Sequence, residues 1–183
     1  MNSQPKRSNK TLIILLVVFV LPVALAKLVL SLDLYHGGAT NKGALLNTEL
    51  TYSALNMVNP KPHLWQMVYL LPEKCDEQCM DRLYVINQSH IALGRDRDRV
   101  SPIILLKHNS DLDALKQLHI QFETAPSNDQ IAALLTQQQM IIIDPLGNLV
   151  MQYEGVAGRE ASIAQGKSMI ADLRKMLKLS RVG

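Results

Sequence analysis

Hydrophobic and polar positions divide the chain into unlike stretches. "TLIILLVVFVLPVALA" follows a polar start without a single charge, and after Lys27 the apolar character resumes in "LVLSLDLY". Residues 35–63 are rich in Gly, Asn, Thr and Pro and predict an extended tether with an entry loop. "LWQMVYLLP" (64–72) and "VSPIILLKH" (100–108) are nearly unbroken apolar runs, the pattern of strands covered on both faces. Between them, "MDRLYVINQSHIALG" spaces Leu83, Val85 or Ile86, His90 and Leu93 as a helix does, with Gly94 as its stop.

The same reading continues to the C-terminus. "SDLDALKQL" and "SNDQIAALLTQQ" open on capping residues and predict short helices, with "HIQFETA" as a short strand between them. "MIIIDPLGNLVMQYEG" predicts a hairpin turning at Pro145–Gly147. "REASIAQGKSMIADLRKMLKLSR" sets Ile163, Met169, Ile170, Leu173, Met176 and Leu177 near one stripe of a long helix, and Gly166 is expected to weaken its first half. Strand–helix alternation closed by a hairpin predicts an α/β fold: a mixed, partly parallel sheet flanked by helices.

Charge refines the N-terminal reading. Of 19 basic residues, Lys6, Arg7 and Lys10 fall in the first ten positions, which hold no acid; the remainder balances at 16 against 16. A basic flank before an apolar run orients a membrane segment with that flank in the cytoplasm. Leu12–Ala26 alone is short for a span, and "ALA" at 24–26 also fits a cleavage site, so a removable signal peptide is one reading. The other is an anchor continuing past Lys27, and it sets the expected organisation. That organisation is a basic cytoplasmic tail over 1–10, a transmembrane anchor over 11–34, a tether over 35–63 and an exported domain over 64–183. With aromatics at 4% and no basic stripe, a nucleic-acid partner is not expected.

The candidate chemistry is concentrated in "LLPEKCDEQCM", which holds the chain's only two cysteines. Cys75 falls in a strand-to-helix turn and Cys79 in the first helical turn, where amide donors favour a thiolate while Asp76 and Glu77 oppose one. At a helix start their Cα atoms would lie about 6 Å apart, within disulfide range. Three readings stay open: a redox or metal-binding dithiol, a static local disulfide, or two unrelated buried thiols. None of His36, His63, His90, His108 and His119 has the spacing of a zinc site with them. Met80 is a soft donor to Cu(I) in principle, but a core side chain is the simpler reading. The basic end "LRKMLKLSR" reads as a solvated helix face.

These stretches together resemble a known family. The apolar N-terminal helix, "TNKGALL", "WQMVYLLP", "CDEQCM" running into "LYVINQSHIALGRDRDRV", "DPLGNLVMQY" and "DLRKMLKLSRVG" resemble the membrane-anchored, Sco-like thioredoxin-fold proteins of proteobacteria associated with cytochrome c oxidase assembly. The resemblance covers nearly the whole chain and implies a thioredoxin-like domain in the periplasm on a single-pass inner-membrane anchor. Its expected partner is an oxidase subunit or another assembly factor. It implies Cys75 as the attacking thiol and Cys79 as the resolving one, with the same pair as Cu(I) ligands. Sco proteins bind copper through a CxxxCP motif and a distant histidine. Here Met80 stands in the proline's place and Thr136 in the histidine's, and Gln137, Gln138 and Gln139 occupy the place of the oxidoreductases' cis-proline. The expected function is therefore an assembly factor using the dithiol for thiol redox or transient copper handling. The alternatives are a general periplasmic thiol–disulfide oxidoreductase and a non-catalytic thioredoxin-like binding module.

Overall fold

The computed structural model describes residues 9–32 and 40–180. The chain divides into two units, Met1–Thr40 and Asn41–Gly183. In the first, α1 (Lys10–Ser31) is one helix of 22 residues through Pro22, long and apolar enough to cross a membrane. His36 and the first eight residues lie outside the described residues.

The second unit is built on a six-stranded mixed sheet in the order β1-β6-β5-β2-β3-β4. Its strands are β1 (Ala44–Leu45), β2 (Trp65–Leu71), β3 (Val100–Leu106), β4 (Glu123–Pro126), β5 (Met140–Ile143) and β6 (Leu149–Tyr153). β2, β3 and β4 are parallel, whereas β5 and β6 form the expected antiparallel hairpin beside β2. Every residue of β2 is buried, as its unbroken apolar run predicts for the centre of a doubly covered sheet. Strand alternation sends Met67, Tyr69 and Leu71 to one face and Val68 and Leu70 to the other.

The first face is covered by α2 (Glu77–Ala92) and α5 (Arg159–Leu179) through Leu83, Ile86, Met169, Leu173 and Leu177, with α3 (Leu112–Gln117) at its margin. The second is covered by α4 (Asp129–Leu134) and by Tyr52 and Leu55. α2 ends where expected, with Gly94 at φ +62° just beyond Leu93. Gly166 has the opposite role to the one its helix propensity suggests. A Cβ there would stand 2.6 Å from Val85 Cγ1, so the glycine is where α5 lies directly on α2.

Two boundaries differ from the sequence-based expectation. The domain begins at Asn41, not at residue 64. Its opening stretch looks like a tether by composition, but β1 pairs with β6, and the Lys42 and Gly43 amides donate to the buried carboxylate of Asp172 at 2.7 and 3.0 Å. Tyr52 caps the far face of the sheet and donates to the buried Gln66 at 2.9 Å. The second difference is α4, which stops at Leu134 instead of running to Gln138. The chain then turns back with Gln138 at φ +56°. That turn brings Gln138 to Asp76 at the start of α2.

Candidate functional site

The residues Pro72 to Asp76 carry the chain from the C-terminal end of β2 into α2. Asp76 is the N-cap: its extended backbone starts the helix, and its Oδ1 accepts from the Cys79 amide at 2.8 Å. The donor lies three positions beyond the cap, so Cys79 sits at the third helical position with its amide held. On the other side of the turn, the Cys75 amide donates to Asp111 Oδ2 at 3.1 Å. Asp111 also caps α3 and donates its own amide to Pro72 O at 2.9 Å. Ser110 adds a hydroxyl donor to Leu71 O at 2.7 Å. The loop after β3 thus fixes the turn that carries Cys75.

Cys75 and Cys79 are joined by a disulfide, with Cα atoms 5.2 Å apart. The reading as two unrelated thiols is thereby excluded. The two sulfurs are not equivalent in access: Cys75 is half-buried, whereas Cys79 is fully buried under the helix. An external thiolate therefore meets Cys75 first. Two carboxylates and two backbone amides surround the pair, and each carboxylate is committed to one of the amides.

Burial and hydrogen bonding set the local electrostatics. The Cys79 amide, and after it the Gln138 side chain, hold the Asp76 carboxyl below its ordinary range. A carboxylate whose pKa is lower in the folded than in the unfolded chain contributes stability above the unfolded value. That contribution is lost as pH falls through the folded one. Asp76→Ala is thus expected to cost about 1 kcal/mol at neutral pH. Denaturant unfolding at pH 7 and at pH 3 checks this: the gap between variant and parent should shrink in acid, and an equal gap at both pH values would refute the role of the charged cap.

The Gln137–Gln139 loop reaches the start of α2 through Gln138. Gln138 Nε2 donates to Asp76 Oδ1 at 3.2 Å, and its Oε1 accepts from the Tyr69 hydroxyl at 3.3 Å. The Gln137 amide donates to Gln139 Oε1 at 2.8 Å, tying the loop to itself. Burial raises the Tyr69 phenol far above its ordinary range, so it stays a neutral donor to Gln138. Behind the pair, one turn beyond Cys79, Arg82 is fully buried. Its guanidinium donates to Gln165 Oε1, to Glu154 O at 3.2 Å and to Val156 O at 3.1 Å. Its neighbour Asp81 pairs with Arg159 at 3.3 Å, and the Arg159 guanidinium lies 4.4 Å from the centre of the Tyr84 ring.

Of the sequence-derived candidates, then, the fold brings Cys75 and Cys79 together and no histidine joins them among the described residues. His90 Nε2 lies 2.8 Å from Val100 O and serves the end of α2. His63 is in the loop before β2, its amide donating to Pro145 O at 3.1 Å, and His108 and His119 are exposed in loops. Thr136 is exposed, and Met80 is half-buried in α2. Among the described residues no group of three His, Cys, Asp or Glu side chains gathers as a metal site. A three-ligand copper centre does not fit this donor set: among the described residues no third His, Cys, Asp or Glu side chain gathers with the two sulfurs. The roles of Asp111, Gln138 and Arg82 are absent from the sequence reading. Only Asp76 had a local signal, an acid three residues ahead of Cys79 at a helix start.

Residues 65–180 match the family model described as transmembrane-like, thioredoxin-like, C-terminal domain. The chain belongs to that family. Among solved structures, apo Sco1 from Thermus thermophilus is similar at 14% identity and a TM-score of 0.50, covering 76% of this chain and 99% of its own. A protein from Chlorobium tepidum described as the thiol:disulfide interchange protein DsbE is similar at 16% identity and a TM-score of 0.47, covering 73% and 96%. ScoI from Arabidopsis thaliana with copper bound is similar at 12% identity and a TM-score of 0.42, covering 62% and 86%. At such identities the likeness is one of fold. No curated protein sequence matches.

Proposed function

We propose that the chain is a membrane-anchored thiol–disulfide factor of the exported compartment, accessory to cytochrome c oxidase assembly, that keeps partner cysteines reduced. The observation that carries this reading is the Cys75–Cys79 disulfide at the start of α2, with one sulfur within reach of solvent and the other buried. The motif-by-motif resemblance to Sco-like proteins supports the oxidase connection, with an oxidase subunit or another assembly factor as partner. The basic residues Lys6 and Arg7 ahead of α1, with Lys10 at its first position, support an inner-membrane anchor with the domain in the periplasm.

The step follows from the unequal access of the sulfurs. In the reduced form, the Cys75 thiolate attacks a partner disulfide, forming a mixed disulfide and releasing one partner thiolate. The Cys79 thiolate then attacks the Cys75 sulfur and expels the second partner thiolate. Two electrons have moved, the partner is a dithiol, and Cys75–Cys79 is the disulfide seen here. An exported thiol reductant must return it to the dithiol.

The test uses the full chain, reduced, in detergent micelles, beside the double variant Cys75→Ser/Cys79→Ser. Reduction of one peptide disulfide per chain by the parent alone is the expected result. A parallel Cu(I) titration decides whether the pair handles metal: one Cu(I) per parent chain, none on the variant and no disulfide turnover would transfer the function from electrons to copper. Equal Cu(I) binding by both would rule out a cysteine copper site. In cells, oxidase activity and haem–copper content that survive the double variant would leave only a binding module.

A further inference from the structure

A fully buried arginine needs a reason, because taking a guanidinium out of water costs several kcal/mol unless its donors are well used. Arg82 is fully enclosed, and its Nε has no hydrogen-bond partner among the described residues. An apolar side chain of similar length would fill the space between α2 and α5 without that cost. The donors that are used point elsewhere: one end of the fork reaches Glu154 O and Val156 O, the carbonyls on either side of Gly155. The other end is held by Gln165 of α5.

Gly155 is the point where this clamped segment meets the loop that reaches Asp76. A Cβ built on it would stand 1.9 Å from the Gln137 carbonyl oxygen, closer than any side chain allows. The two backbones are in direct contact, so the position of one fixes the other. The next residue, Gln138, donates to Asp76, and Asp76 holds the Cys79 amide. A continuous series of contacts thus runs from Arg82 through the segment around Gly155 and the glutamine loop to the helix start under the disulfide.

We infer that Arg82 is a positioning residue for the Cys75–Cys79 pair, holding the Gln137–Gln139 loop over the cysteine turn by clamping the carbonyls that flank Gly155. The consequence for reactivity rests on the thiol–disulfide reading above; the positioning itself does not. The fork matters as well as the charge: one guanidinium nitrogen serves the two carbonyls while the other is held by Gln165, which fixes the plane, whereas an ammonium is a single point donor on a flexible stem.

The experiment measures two quantities on the full chain in detergent: the rate of disulfide reduction by dithiothreitol, and hydrogen exchange at the Cys79 amide. Each variant's unfolding midpoint is recorded so that reduction through global unfolding is subtracted. Arg82→Met and Arg82→Lys should both speed reduction about tenfold and expose the Cys79 amide to exchange, and Gln138→Ala should do the same with Arg82 intact. Arg82→Met combined with Gln138→Ala should react no faster than either alone, because both act on one loop. Parent-like behaviour of Arg82→Lys would show that charge alone matters and overturn the clamp. So would a lowered unfolding midpoint with the reduction rate and amide protection unchanged. If the parent's disulfide yields to dithiothreitol only on unfolding, the thiol–disulfide reading fails, and amide exchange still decides the positioning role.

Discussion

Asp172→Ala is expected to destabilise the domain by about 3–5 kcal/mol, a large part of the 5–15 kcal/mol typical of a domain this size. The carboxylate is 2% exposed, and a single oxygen, Oδ2, accepts from the Lys42 amide, the Gly43 amide and the Tyr153 hydroxyl. Lys175 Nζ stands 3.9 Å from the other oxygen. Truncation leaves three donors without their acceptor, and each such group costs about 1–3 kcal/mol when it stays buried. Asp172→Asn keeps one acceptor oxygen and should retain part of the loss. Urea unfolding followed by the fluorescence of Trp65, the only tryptophan and a buried one, reads both variants. Hydrogen exchange should also show β1 released first, since it is an edge strand paired with β6 and follows directly on Gly43. A loss below about 1 kcal/mol for the alanine variant would mean that water or a shifted side chain replaces the carboxylate.

That same carboxylate explains why the start of the domain was illegible in the sequence. Residues 41–63 have the composition of a linker, and their order comes from partners far along the chain: Asp172 for Lys42 and Gly43, Gln66 for Tyr52, Gly147 for the Tyr52 amide. Local patterning carries no trace of such contacts. Where burial is two-sided and continuous, as in β2 and β3, or where a cap stands ahead of an apolar repeat, as at Asp111 and Asn128, the element could be read directly. The cysteine pair was equally readable because strand, turn and helix are consecutive there.

The rest of the site was not, because it is assembled across the fold. Tyr69 and Asp76 meet Gln138 from positions more than sixty residues away. An arginine in an amphipathic helix reads as a solvated residue, and nothing near Arg82 in sequence announces the carbonyls it serves. The glutamines at 137–139 could be recognised as a departure from the oxidoreductase pattern. Only the structure shows that Gln138 puts its own side chain between the cap and Tyr69.

Separating the two cysteines should give the largest change in activity. Cys75→Ser is expected to lower disulfide transfer by ~100-fold or more, since the remaining thiol, Cys79, is fully buried and cannot meet a partner. Cys79→Ser should instead leave the attacking thiol in place without its resolving partner, so that the chain accumulates as a mixed disulfide with a model peptide. Mass measurement of the trapped adduct under non-reducing conditions distinguishes the two. The fold should survive both changes. In the chain-entropy model a loop this short contributes only about 2 kcal/mol, less than a bridge closing a longer loop, so the reduced domain stays folded and able to cycle. Magnitude therefore separates a staple from a working pair. A structural staple would cost both variants equal stability and leave no adduct, whereas the unequal exposure of the two sulfurs requires one variant to be inert and the other to be trapped. Adducts of equal yield on both variants would sink the assignment of attacking and resolving roles.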